Sequence, residues 1–433
     1  MGVQGLARFL TGCCVETGSN AISKRHFGDY KGKLIAIDAM QRMFSYGIAI
    51  RKGGYDKVSR DGKSINHLYA IFNYVRFLIR HKIKPFFVFE GKSPGIKSGT
   101  LLERRVKRKT ASDKCSEIED KTSSEFRKQF MRSYGITYED IEECKRLLTA
   151  FGFPYCEAVG EADSQCAALA TGDSDFYGTI TEDIDSIVFG SPHMLKDFSG
   201  KHDMATDLSH DGILQALLDK ANSIRADKGL SLLEKFRYTD FINFVSMLET
   251  DYYNGLKSPS INILFQDFVI CDMDVVKLVS YIEKVNAVFI ERRKNCLYSV
   301  PKDFIDDWTR VKTYYEEAEV IPPANINKTF VRPNRTAIFN ILYDQCNFDR
   351  ETVERMIFEL EDFYTLINCR EAKRCWEQNV DLEEFNSMHL SLEQRTDRVD
   401  HSYDSFESYQ QKYGRRLFDR KKYRGAVQIR STV

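Results

Sequence analysis

The chain has 433 residues, of which 42% are hydrophobic and 29% are charged, and its formal net charge is zero. This is the composition of an ordinary globular protein, and the length exceeds one typical domain, so two or three domains are expected. A neutral chain has no overall attraction to nucleic acid, so any such binding face must be a local basic patch. The 11 cysteines show no zinc-binding pattern, which predicts a reduced, intracellular protein.

The N-terminal sequence predicts neither a signal peptide nor a lipid anchor. It lacks a basic segment followed by an apolar run, and Leu6 stands where N-myristoylation needs Ser or Thr. No apolar run approaches the roughly 18 residues that span a bilayer. We therefore expect no membrane partner.

In chain order, residues 1–90 alternate apolar, strand-like runs with helical segments. Residues 66–81 have helical periodicity, residues 97–150 are helical and highly charged, and residues 161–171 form a helix of small side chains. This alternation predicts an α/β fold in which helices flank a mainly parallel central sheet. From about residue 207 the pattern becomes helical, which predicts a mostly helical C-terminal region.

Acidic residues follow the strand-like segments of this first half. Within the first 185 residues they are Asp38, Glu90, Glu161, Asp163, Asp183 and Asp185. In an open α/β sheet, ligands bind at the carboxyl ends of the strands, so these side chains are expected to converge on one crevice. Converging carboxylates repel each other and need cations or shared protons, and their hard oxygens suit Mg²⁺ or Mn²⁺.

A single acid after a strand has a plainer interpretation, as a turn residue or as the N-cap of the next helix. Four acid-bearing segments in succession are much harder to explain by capping. A second cluster supports the metal interpretation, because residues 97–109 carry six basic residues against Glu103. A solvated helix face would explain this stretch alone, but beside an acidic crevice it is better interpreted as a phosphate clamp.

Five segments match one known family: MGVQGL at the N-terminus, IAIDA around Asp38, FFVFEGKSPGIKSG around Glu90, GEADSQCAAL around Glu161 and TEDIDSIVFGSP around Asp183. Weaker matches are LETDYYNG around Asp251 and the segment 331–357. Over about residues 1–255 and 328–362, the chain thus resembles the flap endonuclease branch of the XPG structure-specific 5′ nucleases.

The resemblance implies a PIN/5′-nuclease-like core, a helical arch and two bound Mg²⁺ ions, for which Mn²⁺ can substitute. It implies that Lys97 and Arg104 are catalytic cations. The implied metal ligands are Asp38, Glu90, Glu161, Asp163, Asp183, Asp185 and Asp251. The predicted DNA contacts are Gly2, Phe44, Arg51, His67, Arg105, Arg108 and Lys257, although a core position would also explain Phe44.

The chain departs from the family pattern at several positions. Glu90 stands where the family usually has Asp, and Tyr74 replaces a basic residue. After Asp251 the family's Gly-Ile-Gly turn is replaced by residues 254–261, which puts its monovalent ion site in doubt. No sliding-clamp-binding box is found near the C-terminus, so binding to a sliding clamp is not predicted.

We therefore predict a Mg²⁺-dependent 5′ flap endonuclease or 5′→3′ exonuclease that acts on branched or nicked DNA in replication, repair or recombination. The alternatives are a catalytically weak DNA-binding scaffold and a ribonuclease on a related core. Nuclear localisation is expected, or the host cytoplasm or replication site for a viral protein. The predicted segments are a nuclease core in two parts (1–104 and 151–256), a gateway (105–150), a helical extension (257–395) and a basic tail (396–433).

Overall fold

The computed structural model describes residues 2–199, 203–292 and 294–368. Its centre is a seven-stranded mixed sheet. The strands are β1 (Ile22–His26), β2 (Leu34–Asp38), β3 (Lys84–Phe89), β4 (Tyr155–Glu157), β5 (Phe176–Ile180), β6 (His193–Lys196) and β7 (Met204–Ser209). The predicted basic tail lies outside the described residues.

The helices account for most of the remaining described chain. They are α1 (Leu6–Thr17), α2 (Ala39–Arg51), α3 (Asn66–Arg80), α4 (Ser98–Glu117), α5 (Ser124–Arg132), α6 (Tyr138–Phe151), α7 (Ala162–Gly172), α8 (Asp185–Val188), α9 (His210–Asp227), α10 (Tyr238–Val245), α11 (Ile261–Ile270), α12 (Val275–Glu291), α13 (Phe304–Glu316), α14 (Arg335–Phe339) and α15 (Arg350–Asn368). None of them, within the described chain, has the length and apolar character needed to cross a membrane.

The strand order across the sheet is β1-β7-β6-β5-β2-β3-β4. The pairings from β6 through β5, β2 and β3 to β4 are parallel, whereas β7 pairs antiparallel with both β6 and β1. The predicted mainly parallel sheet is therefore confirmed, with an antiparallel edge. Every residue of β2 is buried, as expected for a parallel strand covered on both faces.

The strand order reverses beside β2. After β2 the chain continues to β3 and β4 on one side, and then returns to place β5 on the other side. Such a reversal opens a crevice at the carboxyl ends of the two strands. The fold therefore directs whatever follows β2 and β5 into one cleft.

The predicted gateway, residues 105–150, contains most of α4 and all of α5 and α6. Helix α4 has Ala111 as its one buried residue, and its charged side chains are otherwise largely in contact with solvent. Helix α6, in contrast, buries six residues and packs against α3 of the core. The exposed hairpin within the gateway is thus α4 and α5.

The C-terminal helices α14 and α15 pack onto helices α6 and α3 of the core. Val331 donates a backbone hydrogen bond to the carbonyl of Gly152, and a Cβ on Gly152 would lie 2.0 Å from the Val331 carbonyl oxygen. Arg76 on α3 pairs with Glu359 on α15. The described residues accordingly lie in one compact unit, and the five predicted segments stay a prediction.

Candidate metal centre

Asp38 is the last residue of β2 and lies at the strand-order reversal. Its Oδ1 accepts a hydrogen bond from the backbone N–H of Gln41 at 3.0 Å, so it also caps α2. The capping interpretation is therefore correct for one oxygen of this carboxylate. The side chain is nevertheless buried, and burial together with the nearby Asp183 carboxylate raises the pKa of Asp38 to about 6.

The start of α7 gathers three acids. Glu90, just after β3, accepts a hydrogen bond from the backbone N–H of Ala162 at 3.1 Å. Glu161 is the residue before this helix and Asp163 lies in its first turn. Burial and the charge of Asp38 raise the pKa of Glu90 to about 7.

Asp183 and Asp185 follow β5 and face the N-terminal segment. The backbone N–H of Val3 donates to Asp185 Oδ1 at 3.1 Å. Gly2 has a φ of 83°, and a Cβ there would lie 2.0 Å from Asp183 Oδ1 and 2.4 Å from Asp185 Oδ1. The structure thus places Gly2 against two acids, where a larger side chain has no room.

The acids are short of positive charge. Burial first, and mutual repulsion second, raise the pKa values of Asp163 and Asp185 well above the ordinary range. Within the described chain, Asp163 Oδ1 is a buried oxygen without a hydrogen-bond partner. A divalent cation would relieve both the repulsion and the missing contact, and the chemistry of these carboxylate oxygens suits Mg²⁺ or Mn²⁺.

Two cations at the start of α4 form ion pairs with acids of the cluster. Lys97 Nζ binds Glu161 Oε1 and lies 3.9 Å from Asp251 Oδ2, while Arg104 Nη2 lies 2.7 Å from that same Asp251 oxygen. Burial alone would lower the pKa of Lys97, but the Glu161 carboxylate holds it above its ordinary value. In this arrangement no three His, Cys, Asp or Glu side chains of the described residues stand at ligating positions around one point.

The sequence matches two family models, the XPG N-terminal domain over residues 1–111 and the XPG I-region over residues 152–251. These matches contain all seven acids. The chain belongs to the XPG/Rad2-type nuclease family.

Relatives matched over most of their length agree with this assignment, and solved structures share the fold. Flap endonuclease 1 of Nematostella vectensis is 29% identical over 365 residues, which cover 83% of this chain and 87% of the relative. Flap endonuclease 1 of Bos taurus is 26% identical, with coverages of 82% and 84%. The catalytic core of Rad2 in complex with DNA substrate shares the fold with a TM-score of 0.59 at 19% identity, covering 83% of this chain and 100% of that one. Flap endonuclease-1 from Methanococcus jannaschii gives 0.54 at 20% identity, with coverages of 79% and 96%.

Three tyrosines contact the acids from beyond both XPG matches, and sequence analysis missed them. The hydroxyls of Tyr252 and Tyr314 donate to Glu161 Oε2 at 2.6 and 2.7 Å, and Tyr315 lies 3.4 Å from Asp185 Oδ2. Tyr252 directly follows the predicted ligand Asp251 in the sequence, and this adjacency could have identified it as a residue of the site. Tyr314 and Tyr315 lie on α13, in a segment without a family match.

The predicted DNA contacts near the core already have protein partners. Arg51 forms a two-pronged ion pair with Asp56, and His67 is buried against Asp140 and Glu143. Phe44 is half-buried, with its ring edge-on to Tyr134 at 5.8 Å between centroids.

The remaining residues that were predicted to contact DNA are more exposed to solvent. Arg105 on α4 and Lys257 in the loop before α11 are exposed, and Arg108 is partly exposed. Their positions leave them available to phosphates, and a role in DNA binding stays a prediction for each member of the set.

Proposed function

We propose that this XPG-family protein is a structure-specific 5′ nuclease that hydrolyses phosphodiester bonds at flaps or branches in DNA. The observation that supports it best is the cluster of carboxylates at the β2–β5 reversal, with Lys97 and Arg104 each paired to one of its acids. A catalytically weak scaffold would have no need for such a costly concentration of like charge. The relatives that cover more than four-fifths of the chain are flap endonucleases.

The acids would hold two divalent metal ions, Mg²⁺ with Mn²⁺ as a substitute. We assign the metal ligands as Asp38, Glu90, Glu161, Asp163, Asp183, Asp185 and Asp251. The unpartnered Asp163 oxygen and the raised pKa values of its neighbours support this assignment. When bound, such ions supply positive charge to the attacking and leaving oxygens and lower the pKa of the attacking water.

Lys97 and Arg104 have a defined part in this proposal. In the DNA-free protein each is paired with an acid, Glu161 for Lys97 and Asp251 for Arg104. A scissile phosphate entering the cleft offers both cations an anionic partner. Fixed cations aimed at the phosphate stabilise the negative charge that develops in the transition state. The exposed basic face of α4 would then lead the 5′ strand toward the cleft.

The experiment compares matched substrates: a 5′ flap, a nicked duplex, a blunt duplex and single-stranded RNA. Purified full-length protein is assayed with Mg²⁺ and with EDTA. We expect Mg²⁺-dependent cutting at the flap, whereas preference for blunt ends indicates an exonuclease and cutting of the RNA alone indicates a ribonuclease. Binding of the flap without cutting of any substrate would establish the scaffold alternative.

A further inference from the structure

Helix α13 reaches the candidate metal centre with two adjacent tyrosines. Tyr314 donates its hydroxyl to Glu161 Oε2 at 2.7 Å, and Tyr252 donates to the same oxygen at 2.6 Å. The other oxygen of Glu161, Oε1, is bound by Lys97. Two neutral hydroxyl donors therefore hold one oxygen of this carboxylate, and a flexible lysine side chain holds the other.

A metal ion can replace the lysine contact more readily than the tyrosine contacts. The phenol hydroxyls of Tyr252 and Tyr314 are neutral donors, so their hydrogen bonds to the carboxylate add no positive charge that a metal ion would displace. The ammonium of Lys97 carries full charge on a flexible stem and is exchangeable for another cation. Glu161 Oε1 is then the oxygen that becomes free for a metal, while Oε2 stays fixed.

The tyrosine rings themselves have little freedom to move. The rings of Tyr252 and Tyr314 meet edge to face with centroids 5.0 Å apart. Tyr315 is 3% exposed, packs against Phe189 and lies 3.4 Å from Asp185 Oδ2. Helix α13 thus presents two hydroxyls, at defined positions, to acids that lie 153 and 130 residues earlier in the chain.

We propose that Tyr314 and Tyr315 are positioning residues, which orient Glu161 and Asp185 for divalent cations. This inference rests on the proposed nuclease function and assigns a role to a helix outside both family matches. Hydrogen-bonding partners that orient metal ligands typically contribute about 10- to 100-fold to metal affinity. A bond that only satisfied a buried carboxylate would leave metal affinity unchanged when the hydroxyl is removed.

The test is a titration of full-length protein with Mn²⁺ alone, without DNA, in which electron paramagnetic resonance counts the free ion. Tyr314→Phe keeps the ring and removes the hydroxyl, so its dissociation constant for Mn²⁺ should rise on the order of 10-fold. Tyr315→Phe removes the hydroxyl near Asp185, so its Mn²⁺ affinity tests the second proposed ligand independently. The matched control is Tyr298→Phe, because Tyr298 also donates to a buried carboxylate, that of Asp267, outside the metal centre. Its Mn²⁺ affinity should equal that of the wild type.

Each outcome decides the proposal. Wild-type affinity in both Tyr314→Phe and Tyr315→Phe overturns it, as does an equal loss in the Tyr298→Phe control, which indicates general destabilisation. A wild type that binds Mn²⁺ but cuts no DNA refutes the nuclease function and leaves the comparison of affinities valid. A wild type that binds no Mn²⁺ overturns both proposals.

Discussion

Arg104 on α4 is bound directly to Asp251, with 2.7 Å between the guanidinium Nη2 and the carboxylate Oδ2. Thr100, one turn earlier, donates its hydroxyl to the backbone carbonyl of Asp251 at 2.7 Å. The base of the exposed helical hairpin is therefore fastened to the loop that carries a proposed metal ligand. A metal ion at Asp251, or a phosphate at Arg104, must compete with this ion pair. Binding in the cleft should therefore change how firmly α4 is held.

Asp183→Asn should abolish cleavage while leaving DNA binding largely intact. The change is isosteric but removes one proposed ligand charge, and metal ions supply several kcal/mol of transition-state stabilisation. The single-turnover rate on a 5′ flap should therefore fall by at least about 10²-fold. Asp211→Asn, at a fully exposed position on α9, is the control and should cut normally. Near wild-type cutting by Asp183→Asn would refute the site assignment.

The double variant Lys97→Ala/Arg104→Ala should slow the chemical step more than it weakens binding. Removing one positioned group that stabilises developing charge typically costs about 10²-fold or more in rate. Single-turnover rates and dissociation constants measured on the same flap separate the two effects. Lys63→Ala, an exposed change in the loop before α3 and away from this basic segment, serves as the control. If only affinity falls, these two cations are ordinary phosphate contacts.

Gly2→Ala should impair catalysis, whereas Gly5→Ala should not. Both glycines have a positive φ, 83° and 78°, so both substitutions impose similar backbone strain. A Cβ at Gly2 overlaps the carboxylate oxygens of Asp183 and Asp185, but a Cβ at Gly5 meets no atom within 4 Å. Displacement of reacting groups by about 1 Å can cost on the order of 10²-fold. Equal rates for the two variants would show that the acids accommodate the methyl group.

Glu359→Gln should destabilise the protein at neutral pH and have little effect in acid. Burial alone would raise the pKa of Glu359, but hydrogen bonds from Arg76 and Arg80 hold it below the ordinary value. The stabilisation is therefore present above about pH 4.3, the unfolded-state pKa of Glu, and is lost as pH falls through the lower folded-state pKa.

Urea unfolding followed at pH 7 and at pH 4 tests this dependence on Glu359. The variant should lose on the order of 1 to 3 kcal/mol at pH 7, and the difference should shrink at pH 4. Glu354→Gln, in an exposed pair with Arg350, is the control and should change stability little. A loss from Glu359→Gln that is the same at both pH values would exclude the ion pair as its cause.

The sequence predicted the sheet and the acids at its strand ends because those signals are local. An apolar run that ends on a carboxylate, as at Asp38, needs no distant residue to be recognised. Contacts made by distant segments had no such signal. No pattern near Tyr314 specifies that its hydroxyl meets Glu161, and nothing near His67 identifies Glu143 as its partner. Those contacts depend on how the elements pack together.

The return of the C-terminal segment across the core has a consequence for synthesis on the ribosome. Gln165 on α7 hydrogen-bonds to the backbone of Ile321, 156 residues later. The backbone hydrogen bond between Val331 and Gly152 joins residues that are even farther apart in the sequence. At about 5 to 20 residues per second, roughly 8 to 30 seconds separate the emergence of α7 from that of the segment around Ile321. A half-made chain thus carries the acids but lacks the segments that cover and orient them, so cutting activity should arrive only with the finished protein.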